Sequence, residues 1–418
     1  MESKTIIPIE FNRVFDEKPS HVSEYLKHIP HEIIVQYALF MANHTIGDDV
    51  ERQICFFKFD KYIPQYILRK LTINYYPECR YVLFTPHCGL ELLKILYAHS
   101  IDNTEAIKNG GPIDLLKAIL QTNSDLLSRG SHFKDDALEL FAKAIRSYKY
   151  SLDDRITVYP TVYRSFCLLH FLEENTSEKW TMIYNCMLKR LQTDSLHSYL
   201  THSLDIFEEL TVTPKESNTM LVLNDKSSAL YDFIKKESFD IRTKISLADN
   251  SDYTYFKTHP FIRFSDTRYG VISNIFVSNL MYNKLKFCIR DICEEEKICN
   301  FFSSFNTDFI EKYLFAQLLN YSFSKHNYEC FTEDECEKYS NGVDKKELES
   351  LPDGYVRFNG KILLLECKGK IISVNALSDE KKCCADIGDI VGKKGTGQLI
   401  HNCNRIIHGK CFWDKKYP

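Results

Sequence analysis

The chain lacks several features that would assign it to a familiar class of protein. None of its fifteen cysteines forms a C-x₂-C pair, and no spacing is followed by a second half at zinc-finger distance. No apolar stretch approaches the roughly eighteen residues of a membrane-spanning helix. Residues 1–5 lack the charged and then apolar pattern of a secretion signal. We therefore expect a cytoplasmic protein whose cysteines are reduced and mostly buried as small hydrophobic side chains.

Loop signatures of nucleotide-binding proteins and hydrolases are missing as well. The chain contains no phosphate-binding glycine loop, no nucleophile elbow and no Gly/Ser-rich or Pro-rich linker. The nearest sign of a domain boundary is the short polar stretch 247–252. We therefore expect a mainly helical region, residues 1–248, followed by a second domain, residues 249–418.

The first region shows apolar side chains at three- and four-residue spacing, which is typical of helices packed on a core. We expect Pro30 to break the first helix. The predicted helices are 22–41, 63–71, 90–98, 113–120, 136–148, 162–173, 178–191 and 197–210. The predicted strands are 80–85, 219–223, 253–264 and 269–277, and a further helix is predicted at 279–294. This pattern indicates an α+β fold and does not reveal the function of residues 1–248.

The charge of the chain is unevenly distributed. The formal net charge of −4 argues against a general electrostatic attraction to nucleic acid. From Lys361 onward, however, eleven Lys and Arg residues outnumber six acids, so this part carries +5 and the preceding 360 residues carry −9. Basic charge in the C-terminal part would suit a phosphodiester substrate, although it also suits a solvated surface.

The most informative stretch is residues 351–368, LPDGYVRFNGKILLLECK. Two apolar runs flank Asn359-Gly360, the dipeptide that best tolerates a positive φ at both central positions of a type I′ turn. A hairpin with this two-residue turn places Phe358 opposite Lys361. Counting outward along both strands then places Asp353 opposite Glu366.

Three ionisable side chains are expected to meet at the open end of this hairpin. Glu366 and Lys368 share a face of the second strand because side chains alternate with period two. Two carboxylates suit Mg²⁺, and Lys368 beside them could orient a water or neutralise charge on a phosphate. Alternatively, Asp353 begins a plain turn and Glu366 forms a weak surface ion pair with Lys368. The aliphatic run 362–365 favours the metal site, because it predicts a strand covered on both faces.

These residues resemble the signature of a known family. Pro352-Asp353, a twelve-residue gap and Glu366-Cys367-Lys368 resemble the motif of the PD-(D/E)XK nuclease superfamily. That family places the Asp and the Glu-x-Lys on adjacent antiparallel strands of a restriction-endonuclease-like α/β core with a mixed sheet. The resemblance implies a metal-dependent endonuclease. In it, Asp353, Glu366 and the Cys367 carbonyl would hold Mg²⁺ or Mn²⁺, and Lys368 would position the hydrolytic water.

The same resemblance implies supporting residues. Glu311 on the predicted helix 308–323 matches a Glu that helps to hold metal in many members, although the helix dipole also favours an acid in a first turn. Residues 328–331 are the candidate for the first core strand. Gln398 matches a Gln or Glu that adjoins the active site in a Q/E-x₃-Y pattern, although Asn402 stands where the Tyr would be.

Candidate nucleic-acid contacts follow the motif. A helix predicted at 378–390 is expected to break at the glycine- and lysine-rich stretch 392–397. Lys393, Lys394 and the glycine-flanked backbone would suit a phosphate contact, and Arg405 lies on the same predicted helical face as Gln398. A plain surface loop is the alternative interpretation of 392–397.

Together these observations predict a nuclease that acts on DNA, with RNA as an alternative because no sugar-reading signal is visible. Residues 1–248 suggest a sensing or protein-partner-binding module, an arrangement that resembles bacterial anti-phage defence effectors. The rival hypothesis is a non-catalytic module of the same fold that binds nucleic acid or protein. The oligomeric state is left open. Members of the family have a further strand after the last helix. Either residues 411–413 are a stub of that strand, or the sequence is a fragment.

Overall fold

The structure is a computed structural model, and it shows an α+β chain. The residues that it describes are 5–43, 49–73, 79–99, 111–128, 154–212, 219–250, 253–323, 328–339, 343, 351–369 and 380–414. The chain divides into two compact units. The first comprises residues 1–133, 152–159 and 199–281, and the second comprises residues 134–151, 160–198 and 282–418.

The first unit combines helices with two small sheets. Strands β1 (Thr5–Pro8) and β2 (Cys79–Val82) pair in parallel. The second sheet has the order β3 (Met220–Val222), β6 (Arg268–Val271), β5 (Phe261–Arg263) and β4 (Ser238–Asp240). The helices of this unit are Val22–Leu26, His31–Asn43, Val50–Phe56, Phe59–Tyr62, Gln65–Thr72, Pro86–Ala98, Gly111–Ser128, Ala229–Lys236, Thr254–Thr258 and Asn274–Asn279.

The division into units differs from the boundary expected near residue 248. Strands β5 and β6 follow that position, but they pair with β4 and β3, which precede it. The strand predicted at 253–264 is wrong in its first half, where residues Thr254–Thr258 form a helix. Closely spaced aromatic residues can bury their side chains from a strand or from a helix. Phe256 lies on this helix, and its side chain is buried. The break expected at Pro30 is confirmed, because one helix ends at Leu26 and the next begins at His31.

Two helices and one π-helical segment have residues in both units: Asp154–Glu174, Leu196–Val212 and Leu280–Lys284. The helix predicted at 178–191 is confirmed with the same bounds, Glu178–Leu191. The helix predicted at 136–148 lies outside the described residues.

The second unit contains one described sheet, between helices that precede and follow it in sequence. Its antiparallel order is β7 (Glu329–Thr332), β8 (Gly354–Phe358) and β9 (Lys361–Leu365). The strand predicted at 328–331 is thereby confirmed as β7. A mixed sheet was also expected, but the described strands of this unit are all antiparallel. The other helical segments are Glu178–Leu191, Leu285–Glu295, Phe301–Ser304, Phe305–Phe315, Ala316–Phe323, Glu333–Glu337, Glu380–Gly388, Asp389–Thr396 and Gly397–Ile407.

The hairpin of β8 and β9 is anchored by a small apolar core. Cys336, Leu351, Tyr355, Cys411 and Trp413 are buried in one cluster, with Ile362 and Leu364 packed against it. Residues 411–413 are not a strand, yet they complete this core. The expectation that β9 is covered on both faces is wrong, because Leu363 is 46% exposed and β9 is an edge strand among the described residues.

The helix was predicted to break at 392–397, but it does not. Helical backbone runs without interruption from residue 380 to 407, and Asp389–Thr396 within it is π-helical. Each Gly in a helix costs only about 1 kcal/mol relative to Ala, which tertiary packing can offset. The glycine-flanked loop proposed for a phosphate contact is therefore absent from this described segment. Among the described residues, no helix has both the length and the apolar character needed to cross a membrane.

Two glycines provide a test of the hairpin turn. A Cβ on Gly360 or on Gly392 would meet no atom within 4 Å, but only Gly360 has a positive φ, of 74°. We expect Gly360→Ala to lower the free energy of unfolding by about 1–2 kcal/mol, because left-handed backbone is strained for an L-residue. The helical control Gly392→Ala should leave it unchanged or raise it by up to about 1 kcal/mol. Urea denaturation compares the two variants, and equal effects would contradict the assigned turn.

Candidate functional site

The turn chemistry of the hairpin positions the candidate site. Asn359 has a φ of 47° and Gly360 a φ of 74°, as a type I′ turn requires. The observed pairs run from Phe358 with Lys361 to Gly354 with Leu365, which is the predicted register. Continuing this register by one step places Asp353 opposite Glu366. The two acids thus lie where the paired strands end, with their side chains on one face.

The structure brings Asp353, Glu366 and Lys368 together. The Lys368 ammonium forms an ion pair with Oε1 of Glu366 and lies 3.8 Å from Oδ2 of Asp353. The backbone N–H of Cys367 donates to the same Asp353 oxygen at 2.5 Å. The exposed side-chain fractions are 10% for Asp353, 2% for Glu366 and 24% for Lys368. This burial excludes the alternative of a weak ion pair on a solvated edge.

The electrostatics of the three groups follow from their burial and proximity. Burial raises the pKa of Glu366 to about 7; Lys368 opposes this shift and the negative charge of Asp353 adds to it. Burial alone would lower the pKa of Lys368, but its bond to Glu366 and the charge of Asp353 outweigh burial and raise it. Lys368 therefore remains a cation at neutral pH. The two acids repel each other, and one ammonium only partly compensates them.

One carboxylate oxygen in the site accepts no hydrogen bond among the described residues. Oε2 of Glu366 is buried and accepts no hydrogen bond from the described residues. A buried oxygen of this kind is costly unless a donor or a cation satisfies it. The described residues hold no group of three or more His, Cys, Asp or Glu arranged as a metal cage. Mg²⁺ needs only one or two protein carboxylates, since water and substrate phosphate supply its other ligands, so Asp353 and Glu366 fit this ion.

Glu311 joins the same cluster from the helix that precedes the sheet. That helix was expected to begin at 308, but it begins at Phe301, and the side chain of its N-cap, Asn300, accepts the N–H of Ser303 at 3.1 Å. Glu311 is therefore not in a first turn, and the helix dipole does not account for it. Burial, followed by the charge of Asp353, raises the pKa of Glu311, whereas Lys368 lowers it.

Glu333 was missed in the sequence. Thr332 caps the helix Glu333–Glu337 in a capping box with Glu335, so Glu333 is the first helical residue directly after β7. Burial raises the pKa of Glu333 to about 7, and the charge of Asp353 is the next cause. The Thr-x-x-Glu spacing at 332–335 was the available signal, and it would have placed an acid at the end of the first strand of the sheet.

Glu311, Glu333 and Asp353 face a small open cleft within the second unit. Lys312 and Asp334 form an ion pair of 2.9 Å on its wall. The lining residues are Glu311, Lys312, Ala316, Thr332, Glu333, Asp334 and Asp353. The cleft thus continues from the hairpin end toward the acidic start of a helix, and its charge is predominantly negative.

Gln398, which was predicted to adjoin the active site, is not linked to this cluster among the described contacts. Gln398 is half-buried, and no hydrogen bond or ion pair of the described residues links its side chain to Asp353, Glu366 or Lys368. Its carbonyl instead accepts from the side-chain amide of Asn402 at 3.1 Å. The structure also leaves the metal-ligand role of the Cys367 carbonyl as a prediction.

Of the three expected nucleic-acid contacts, the structure describes the side chain of Arg405 alone. Arg405 is only 4% exposed, and its guanidinium lies over the rings of Phe412 and Trp413, at 5.6 and 5.4 Å from their centroids. It is a packing residue in this position, which corrects its expected role at a nucleic-acid surface. Lys393 and Lys394 lie on helical backbone, and their side chains are outside the part of the chain that the structure describes.

Comparisons of the chain with protein-family models, with curated proteins and with solved structures found no match. Its site is therefore interpreted from the geometry of its own residues.

The raised pKa of Glu366 predicts how stability depends on pH. Between its ordinary value near 4.5 and about 7, the folded chain holds a proton on Glu366 that the unfolded chain releases. Folding is therefore favoured at the lower pH, and the stabilisation is lost as pH rises through 7, with a slope of at most about 1.4 kcal/mol per pH unit.

We expect Glu366→Gln to reduce the dependence of stability on pH between pH 5 and 7.5 by the contribution of Glu366, and to leave that of Glu333, whose pKa is also raised to about 7. Urea unfolding in metal-free buffer measures it, with the exposed Glu337→Gln as a control that keeps the wild-type slope. Parallel pH profiles for wild type and Glu366→Gln would contradict the assigned environment.

Proposed function

We propose that the second unit is a metal-dependent nuclease that hydrolyses phosphodiester bonds of DNA. The observation that carries this proposal is the convergence of Asp353, Glu366 and Lys368 at the end of one hairpin, where Oε2 of Glu366 is buried and accepts no hydrogen bond from the described residues. A helix before the sheet and the antiparallel pairing of β8 with β9 also support the proposal, since the PD-(D/E)XK resemblance implies both.

Asp353 and Glu366 would hold Mg²⁺ or Mn²⁺. The hydrogen bond from the Cys367 N–H orients Asp353, and the ion pair with Lys368 orients Glu366, so both carboxylates are held in place before an ion arrives. When bound, the ion supplies a Lewis acid for the phosphate group. Glu311 lies close enough to influence Asp353 electrostatically and would support the same region.

Lys368 has a role that follows from its charge. Its pKa is raised, so it cannot accept a proton near neutral pH. It can donate hydrogen bonds to a water or to a phosphate oxygen, and its charge opposes the negative charge that develops during hydrolysis. Lys368 is therefore proposed as an orienting and charge-neutralising residue rather than as a general base.

The acidity of the cleft makes a divalent ion necessary for this substrate. Glu311, Glu333, Asp334 and Asp353 line one cleft whose wall includes Lys312. A phosphodiester carries negative charge, so this surface repels it unless cations compensate the carboxylates. The proposed activity should consequently be absent in EDTA and restored by Mg²⁺ or Mn²⁺.

The catalytic prediction compares conservative variants on a DNA substrate. We expect Asp353→Asn, Glu366→Gln and Lys368→Met each to lower the rate of Mg²⁺-dependent cleavage by at least about 100-fold, because each removes a group that contacts the ion or the reacting phosphate. Lys361→Met is the matched control, since Lys361 lies on the same strand at the turn end. Cleavage that survives in all three variants would contradict the proposal, and a parallel RNA substrate tests the choice of nucleic acid.

Metal binding can be measured without a substrate. We expect Mn²⁺ titration by calorimetry to give a binding signal for the wild type that Asp353→Asn and Glu366→Gln weaken at least about tenfold, because coordination depends on both carboxylates. Glu337→Gln, an exposed acid of the same unit, should bind as the wild type does. Equal binding by all four proteins would place the ion elsewhere.

A further inference from the structure

Two cysteines of the second unit lie side by side where one helix ends and the next begins. Cys293 is in the last turn of Leu285–Glu295, and Cys299 directly precedes Asn300, the N-cap of the following helix. Their Sγ atoms are 3.6 Å apart. The N–H of Ile298 donates to the carbonyl of Cys293 at 3.2 Å, and Lys297 has a φ of 52°, so the connecting residues fold back on the helix.

The two thiols differ in their access to solvent. Cys293 is 1% exposed, whereas Cys299 is half-buried. Burial, together with the hydrogen bond to Cys299, raises the pKa of Cys293 to about 12. A reagent in solution therefore meets Cys299 first. Cys293 is shielded from that reagent but lies directly beside the sulfur atom of Cys299.

We propose that Cys293 and Cys299 are a site of thiol–disulfide exchange, which low-molecular-weight disulfides convert reversibly to an intramolecular disulfide. The Cys299 thiolate attacks oxidised glutathione, forms a mixed disulfide and releases one glutathione thiolate. Cys293 then loses its proton to solvent, attacks Sγ of Cys299 and releases the second glutathione; because its pKa is raised, this step is slow near neutral pH and the buffers must be left to reach equilibrium. Two protein thiols are thereby oxidised by two electrons, one glutathione disulfide is reduced to two thiols, and the protons of the protein thiols pass to them.

The geometry requires only a local change. A disulfide has an S–S distance of about 2.05 Å, so the sulfur atoms must approach by roughly 1.5 Å, which rotation about side-chain bonds can provide. Cys299 lies in the connection between two helices, where backbone adjustment costs less than inside a helix. The exposed Cys403, on Gly397–Ile407, is more accessible than Cys299 and serves as the comparison for simple exposure.

Trypsin offers a direct readout because Lys297 separates the two cysteines. Cleavage after Arg290, Lys297 and Lys312 gives the peptides 291–297 and 298–312, each with one cysteine. The full chain is equilibrated with glutathione buffers of increasing oxidised fraction, alkylated with N-ethylmaleimide in denaturant, and digested. We expect mass spectrometry to find the two peptides joined and two hydrogen atoms lighter, and dithiothreitol to separate them. Cys403 should remain largely alkylated at the ratio that oxidises half of the pair.

Two variants distinguish the proposed roles. In Cys293→Ser, Cys299 should retain glutathione as a trapped mixed disulfide, at a level several-fold above that of Cys299 in the wild type, where Cys293 displaces it. In Cys299→Ser, Cys293 should remain a free thiol. The proposal is overturned if no joined peptides form in the most oxidising buffer, or if Cys299 in Cys293→Ser carries no more glutathione than Cys299 in the wild type. These readouts are chemical, so they do not depend on nuclease activity.

Discussion

The register of one hairpin is the constraint on which the candidate site depends. Asn359 and Gly360 both adopt positive φ, and this turn pairs Phe358 with Lys361 and so determines every later pair of the two strands. Because side chains alternate along a strand, a slip of one residue would send Glu366 to the opposite face from Asp353. The chemistry at one end of the hairpin is thus set by a dipeptide at the other end, six residue pairs away.

Packing of the hairpin on the buried cluster stabilises this register, while the charged groups lie at the ends of its strands. Tyr355 belongs to the buried cluster with Trp413, and its hydroxyl donates to Asp414 at 2.9 Å, while Arg357 donates to the same carboxylate at 2.5 Å. These contacts tie the first strand of the hairpin to the last described residues of the chain. Packing on this cluster stabilises the sheet, so the ends of the strands can carry charged groups that contribute little to stability themselves.

Local chemistry explains which features the sequence could predict. The turn, the hairpin register and β7 depend on neighbouring residues, and all three are confirmed. Features that depend on distant packing were predicted less well. The stretch 392–397 remains helical despite its glycines, and Thr254–Thr258 is a helix despite its aromatic neighbours. Glu333 was not identified, and Arg405 was assigned to a nucleic-acid surface, for the same reason: only the tertiary fold buries one beside Asp353 and the other on Trp413.

The cluster of Asp353 with Glu311, Glu333 and Glu366 lowers the stability of the folded chain. Burial and mutual repulsion raise the pKa values of Glu311, Glu333 and Glu366, which means that their charged forms are less stable here than in water. Lys368 and the N–H of Cys367 compensate only part of this, and Oε2 of Glu366 accepts no hydrogen bond from the described residues. A cation bound at these carboxylates would be coupled to folding, because an ion that binds only the folded state stabilises it. Buried carboxylates that repel one another and are held in place by a hairpin gain more from a bound divalent ion than the same carboxylates would in water. They therefore bind the ion more readily.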